Sequence, residues 1–304
     1  MPTIIDAHSH LWLKQDCYVD GKRVLSLKNG RSIFMDEEVQ MLPPFMTDSR
    51  NSAEVFLSNM DYAQVGAAVV VQEIIDGNQN SYLSEVQKRY PDRFFCMGAP
   101  HFSPEGTVPC ALEDAKEIKK AGLKGIALPA HRLHCSLTSL MDMFLYMEKE
   151  GLILSICLAD DLNQIAQMKE VIRQCPALKI AIGHFGMVTT PSFEHQILLA
   201  REGENVKIES GGITWLYNSE FYPYPSAIRS IRRAIDLVGE QALMWGSDYP
   251  RTITAITYRM SYDFISKSKE LSEQEKELIL GLNAKQFYSF GQLPDLPYIK
   301  NMSE

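Results

Sequence analysis

Thr3-Ile4-Ile5-Asp6-Ala7-His8-Ser9-His10 is an apolar run that reads as a strand and ends in two histidines one residue apart. Successive side chains of a strand alternate between faces, so His8 and His10 are expected on one face where the strand runs out. Two imidazoles side by side suit one metal ion. An isolated histidine is commonly a hydrogen-bonded core residue, so the pair takes its meaning from what the later strands bring to it.

From there the chain repeats a unit of helix and strand. A helical spacing over 52–64 leads into the apolar run 66–72. Helices over 81–90, 111–121, 137–150 and 162–175 stop at Pro91, Gly122, Gly151 and Pro176, residues that favour helix ends, and precede strands over 94–99, 123–128, 152–158 and 178–182. A helix over 191–201 with a strand over 206–209, a helix over 225–237 with a strand over 242–245, and closing helices over 254–267 and 272–290 complete the pattern. Eight strands with a helix after each, in continuous rather than alternating apolar runs, predict an α/β fold with a covered parallel sheet. The expectation is a distorted (β/α)8 TIM barrel, one domain over 1–304. No G-x-G-x-x-G follows the first strand, which disfavours a doubly wound open sheet. Asp20-Gly21 and Asn29-Gly30 mark tight turns between short extended pieces, an inserted loop or hairpin at about 11–50 that could lie over a site.

The 304 residues, 45% hydrophobic and 22% charged, suffice for a large core. A net charge of −8 with scattered basic residues argues against a nucleic-acid or anionic-membrane surface. The six cysteines show no C-x-x-C pairing, as reduced thiols would. No apolar run approaches the ~20 residues of a membrane span, and the first strand follows the initiator Met too closely to leave room for a leader. The expectation is a cytoplasmic protein with a small-molecule substrate, as a monomer or a homo-oligomer.

In such a barrel, function sits at the C-terminal ends of the strands. Those ends offer His8 and His10, Gln72 and Glu73, His101, His131 and Arg132, Ala159 and Asp160, His184, Glu209 and Asp248, whereas His195 falls inside a helix. Imidazole concentrated at one rim predicts a polar mouth. The strongest positions are the first-strand pair, His184 in Ile182-Gly183-His184-Phe185-Gly186 and Asp248 in Trp245-Gly246-Ser247-Asp248-Tyr249-Pro250. Three imidazoles and a carboxylate from strands one, six and eight form a ligand set for Zn2+ or a similar divalent ion.

These segments, with Val70-Val71-Gln72, Leu123-Lys124-Gly125-Ile126-Ala127-Leu128-Pro129-Ala130 and Ile279-Leu280-Gly281-Leu282-Asn283-Ala284, carry a resemblance over nearly the whole chain. The sequence resembles the amidohydrolase superfamily, in its amidohydrolase-related branch of sugar-acid and dicarboxylate lactonases. The resemblance implies a distorted barrel with His8, His10, His184 and Asp248 as the inner site and Asp248 as the carboxylate that handles protons. Related decarboxylases place a further histidine at strand five, and binuclear hydrolases a lysine near the middle of the barrel. Here strand five reads Leu152-Ile153-Leu154-Ser155-Ile156-Cys157-Leu158-Ala159, with neither, so a two-metal centre is not expected.

The expected chemistry is hydrolysis of a small carboxylated or sugar-acid lactone, with Asp248 and His184 catalytic and one divalent ion, Zn2+, bound by His8, His10, His184 and Asp248. A metal-free route, with Asp248 as base and histidine N–H groups on the oxyanion, is the alternative for the cofactor. Non-oxidative decarboxylation of an aromatic or unsaturated acid is the alternative reaction, and ligand binding without turnover a third reading. For substrate contacts the sequence offers Arg132 and Arg251 for a carboxylate, His131 and His101 for hydroxyls, and Trp12, Trp215, Tyr217, Tyr222 and Tyr224 as an aromatic wall. Glu73 and Glu209 are candidates to orient a histidine N–H.

Overall fold

The computed structural model describes residues 3–300 and 302. β1 (Ile5–Ser9) is buried at every position. The excursion that follows is a four-stranded antiparallel sheet, β2 (Asp16–Val19), β3 (Lys22–Ser26), β4 (Arg31–Phe34) and β5 (Glu37–Gln40), in sequential order. Asp20 and Gly21 turn the first hairpin and Asn29 and Gly30 lie in the second connection, all at positive φ, so the two turn signals read in the sequence bracket a larger sheet than a single hairpin. Its underside buries Val19 and Val24 against Ile74 and Ile75.

The barrel continues with β6 (Ala67–Val70), β7 (Phe94–Cys96), β8 (Gly125–Leu128), β9 (Ile153–Ile156), β10 (Ile180–Ile182), β11 (Val206–Glu209) and β12 (Leu243–Met244). Each falls inside a run expected to be a strand. All pairings are parallel, within one sheet β1-β6-β7 and another β12-β11-β10-β9-β8. Backbone bonds close the ring at both seams: Ala7 N donates to Trp245 O at 2.9 Å and His10 N to Tyr249 O at 2.7 Å, while Gly98 N donates to Gly125 O at 2.9 Å. The barrel is distorted because β12 spans two residues and β7 and β10 three each. The protein is therefore a distorted (β/α)8 barrel.

Most helices follow the expected spans. Ser52 caps Ala53–Ala63 by accepting from Val55 N, and Gly151 closes Met141–Glu150 in the left-handed conformation. Two expectations need correction. The helix expected over 254–267 is confined to Met260–Ser266, after a 3-10 turn at Thr252–Thr254. The closing helix is broken into Glu273–Glu277, a π-helical turn Leu278–Leu282 and Asn283–Phe287. That turn lets Gly281 press on the start of β1, and Phe287 and Tyr288 then join Ile5, Val69, Phe95 and Met97 in the lower barrel. No helix among the described residues is long and apolar enough to cross a membrane.

Candidate active site

Ile5 and Ala7 belong to the barrel interior, so simple alternation would turn His8 and His10 outward. A bulge reverses them. β1 pairs Asp6 with Ala68 and Ser9 with Val70, three residues of β1 for two of β6, and the extra residue shifts the phase of alternation. His8 and His10 consequently line an inner cleft with Val71, Ala127, Ser155, Cys157 and His184. Behind β1, Asp6 is buried and ties the strand to the loop after β12. It accepts from His8 N at 3.1 Å, Ser247 N at 2.8 Å, Ser247 Oγ at 2.5 Å and Tyr258 OH at 2.8 Å. Burial pushes its carboxyl up to about 6 against those four donors.

His8 Nδ1 lies 2.7 Å from Glu209 Oε1, and His10 Nδ1 lies 2.7 Å from Asp76 Oδ2. A carboxylate only accepts, so each Nδ1 carries a proton and each Nε2 faces the cleft, as a lone pair where the imidazole is neutral. The two Nε2 atoms face one another at 3.2 Å, and Asp248 Oδ1 stands 3.6 Å from the first and 3.0 Å from the second. His184 donates from Nδ1 to Gly211 O at 2.9 Å, which leaves its Nε2 as an acceptor, and its ring centroid is 4.9 Å from that of His8. Lone pairs crowded together in a buried site repel unless a cation joins them. Burial alone would lower His10, yet the Asp76 and Asp248 carboxylates hold it up to about 9. The surroundings that favour a proton there also favour a divalent ion. His8, His10 and Asp248 can each aim one ligand atom at a common point, and the nitrogen and oxygen donors suit Zn2+.

Asp248 is fully buried. Burial alone would raise its carboxyl, but Arg251 and the hydrogen bond with His10 outweigh that and hold it well below the usual carboxylate range. Its second oxygen accepts from Trp215 Nε1 at 2.7 Å, and Arg251 Nη1 is 4.0 Å from it. His184 and Asp248 have φ of +51° and +57°. That conformation is costly for side-chain-bearing residues and collects at functional sites.

The other expected site residues divide. Arg132 Nε donates to Glu73 Oε1 at 2.6 Å, and Arg251 Nη2 is 3.8 Å from Glu73 Oε2, so both arginines share one buried acid at the mouth. Burial would raise Glu73, but the two arginines lower it. Glu73 therefore orients arginines rather than a histidine, while Glu209 does orient His8. His131 follows β8 and feels the charges of Glu73, Arg132 and His184. His101 is turned away: its Nδ1 is 2.7 Å from Asp114 Oδ1, and 71% of the side chain is exposed.

The expected aromatic wall forms in part: Trp215, Tyr222 and Tyr224 line one cavity with Thr252, whereas Trp12 and Tyr217 lie outside its lining. Trp12 is buried against Leu42, Met46 and Ile253, where it pins the excursion to the barrel. Tyr217 OH is 2.7 Å from Ser230 Oγ on the helix Pro225–Val238, and Tyr224 meets edge-on Phe264 of the helix Met260–Ser266. Of these aromatics, Trp215 touches two of the proposed ligands, Asp248 and His184. Asp76 escaped the sequence reading altogether. Its signal was a carboxylate before Gly77, three residues after Glu73 at a strand end, and only the turn Ile74–Asp76 folds it under His10.

No curated protein matches the sequence. Solved structures do. A probable 2-pyrone-4,6-dicarboxylic acid hydrolase from Acinetobacter baumannii with citric acid bound is similar at a TM-score of 0.68 and 19% identity, covering 95% of this chain and 100% of that one. An amidohydrolase from Burkholderia multivorans with bound zinc gives 0.66 and 16%, covering 96% and 100%. The 5-carboxyvanillate decarboxylase from Sphingomonas paucimobilis gives 0.56 and 17%, covering 77% and 82%. At these identities the likeness shows the fold. The amidohydrolase family model matches residues 5–290, and the chain belongs to the amidohydrolase family.

Proposed function

We propose that this protein is a hydrolase of a small carboxylated lactone, with Asp248 as general base. The observation that carries the reading is Arg251. Its Nη2 is buried and meets no hydrogen-bond partner among the described residues: Glu73 Oε2, at 3.8 Å, is out of hydrogen-bonding range, as is Asp248 Oδ2 at 4.0 Å from the neighbouring Nη1. An unmet buried N–H costs free energy, and a substrate carboxylate placed beside Asp248 would satisfy it with a charge-assisted bond. The Acinetobacter relative adds support, since its described substrate and its bound citric acid are both polycarboxylic.

His8, His10, His184 and Asp248 would hold one divalent ion, Zn2+ being the best fit to their donor atoms. Bound there, such an ion supplies polarisation of the carbonyl and a water acidic enough, with a pKa of about 7, for a weakly basic carboxylate to deprotonate. Asp248, ionised at neutral pH, would accept a proton from the attacking water and return it to the leaving alkoxide. Glu209, Asp76 and the carbonyl of Gly211 fix the three imidazoles with Nε2 inward. Arg251 binds and orients the substrate carboxylate, and Arg132 holds Glu73 so that it does not capture Arg251 outright.

The test is a panel of carboxylated and uncharged lactones followed with a pH indicator, alongside hydroxybenzoates followed for CO2. Proton release from carboxylated lactones is expected, and CO2 evolution without it would overturn the assignment in favour of a decarboxylase. Chelator treatment should remove activity and added Zn2+ restore it. Arg251→Lys keeps the charge but loses the planar fork, so KM for carboxylated lactones should rise about tenfold or more. An equal rise for uncharged lactones would show that Arg251 does not read the carboxylate.

A further inference from the structure

Three of the four proposed ligands are held from behind by one short piece of chain. Glu209, the last residue of β11, accepts from His8 Nδ1 at 2.7 Å and from Gly211 N at 2.6 Å. Gly211 O accepts from His184 Nδ1 at 2.9 Å, and Trp215 Nε1 donates to Asp248 Oδ2 at 2.7 Å. The Trp215 ring also meets the His184 ring nearly edge-on, at 5.8 Å between centroids.

Two glycines make this approach possible. A Cβ on Gly211 would stand 2.8 Å from both Glu209 Oε2 and His8 Cγ. Gly212 has φ +70°, and a Cβ there would stand 1.9 Å from Trp215 Nε1, so the indole lies directly across its backbone. The sequence Glu209-Ser210-Gly211-Gly212-Ile213-Thr214-Trp215 thus works as one arm with three contacts.

We propose that Trp215 is a positioning residue for Asp248. The inference rests on the reading above, in which Asp248 is ligand and base. Rotation of a carboxylate about its last bond is soft, so nothing in the side chain itself decides which oxygen faces the histidines. An indole N–H committed to Oδ2 leaves Oδ1 as the oxygen presented to His8 and His10. Indole has no acceptor, so the direction of this bond cannot reverse. The same ring seats His184, so the arm couples the carboxylate to an imidazole brought in from β10. A substrate-wall role, the ordinary expectation for a mouth aromatic, would leave Asp248 free to turn.

The experiment uses the full chain stripped of metal, Zn2+ alone as calorimetric and fluorescence probe, and the best lactone for steady-state kinetics. Trp215→Phe keeps a ring and removes the N–H. It should weaken Zn2+ affinity and lower kcat by about 10- to 100-fold each, the usual cost of losing a group that orients a ligand, with KM nearly unchanged. Zn2+ should alter tryptophan emission in the unaltered protein and not in Trp215→Phe, although Trp12 and Trp245 remain. Gly212→Ala, which displaces the indole by another route, should act in the same direction, and the double variant should be little worse than Trp215→Phe. A raised KM with Zn2+ affinity and kcat intact would overturn the proposal and make Trp215 a substrate wall; so would a Zn2+-induced emission change that survives Trp215→Phe. If the unaltered protein turns over no lactone, the lactonase reading falls and the Zn2+ titrations decide the inference. If it binds no Zn2+, the metal reading falls and the split between kcat and KM decides.

Discussion

Asp248→Asn is expected to lower lactone turnover by about 10³-fold or more, with the fold retained. General-base catalysis contributes roughly 10²- to 10⁴-fold, and this substitution removes more than the base. Asp248 Oδ1 stands 3.0 Å from His10 Nε2, and Oδ2 accepts from Trp215 at 2.7 Å. An amide of the same shape has one acceptor oxygen and one donor nitrogen. With its oxygen toward Trp215, the NH2 group faces the two imidazoles; with its oxygen inward, it sets donor against donor at the indole. Either way it carries no charge to favour a cation and accepts no proton. Steady-state rates and Zn2+ titration measure the loss, and circular dichroism checks the fold. Turnover above a tenth of the unaltered rate would place the base elsewhere and leave Asp248 a structural acid.

Gly281→Ala is expected to destabilise the fold strongly. A Cβ at this position would stand 2.0 Å from Thr3 O and 2.7 Å from Thr3 C. Both are backbone atoms at the entrance to β1, so no side chain can swing aside. Gly281 is not among the residues with positive φ, and alanine in a helical turn is otherwise favoured over glycine by about 1 kcal/mol. The change therefore acts through steric overlap alone. Moving β1 away from the π-helical turn Leu278–Leu282 should cost about 3 kcal/mol or more, or roughly 5–10 °C in Tm. Because β1 carries His8 and His10, metal affinity should fall with stability. Gly122→Ala is the control: φ is +83° with nothing within 4 Å of the new Cβ, so it meets only the milder backbone cost of about 1 kcal/mol. If Gly281→Ala melts no lower than that control, the close approach is not a constraint.

The distribution of legible and illegible features follows from the range of the interactions behind them. Most barrel strands were readable because a strand buried on both faces is mainly apolar, as Ile180–Ile182 and Leu243–Met244 are throughout. Helix ends at Ser52 and Gly151 were readable because capping is settled within a few residues. The excursion was legible as turns but not as four strands. The strand ends flagged His8, His10, His184 and Asp248; the ring brings ligand atoms of His8, His10 and Asp248 together and sets the His184 ring beside that of His8. Trp12, His101 and Tyr217 lie outside the site because each has a nearer partner, Ile253, Asp114 and Ser230, that the strand-end pattern does not reveal.

By itself the sequence determined the eight alternating units, the inventory of histidines and carboxylates at their ends, and so the class of chemistry the rim can support. The tertiary structure alone decided how those groups face. The extra residue between Asp6 and Ser9 turns the two histidines inward, yet it exists only relative to β6. Tautomers are likewise set by remote acceptors: Glu209 for His8, Asp76 for His10 and Gly211 O for His184. Apolar burial depends on local composition and can be read along the chain. The direction of a hydrogen bond depends on which group lies opposite, and only closure of the barrel puts it there.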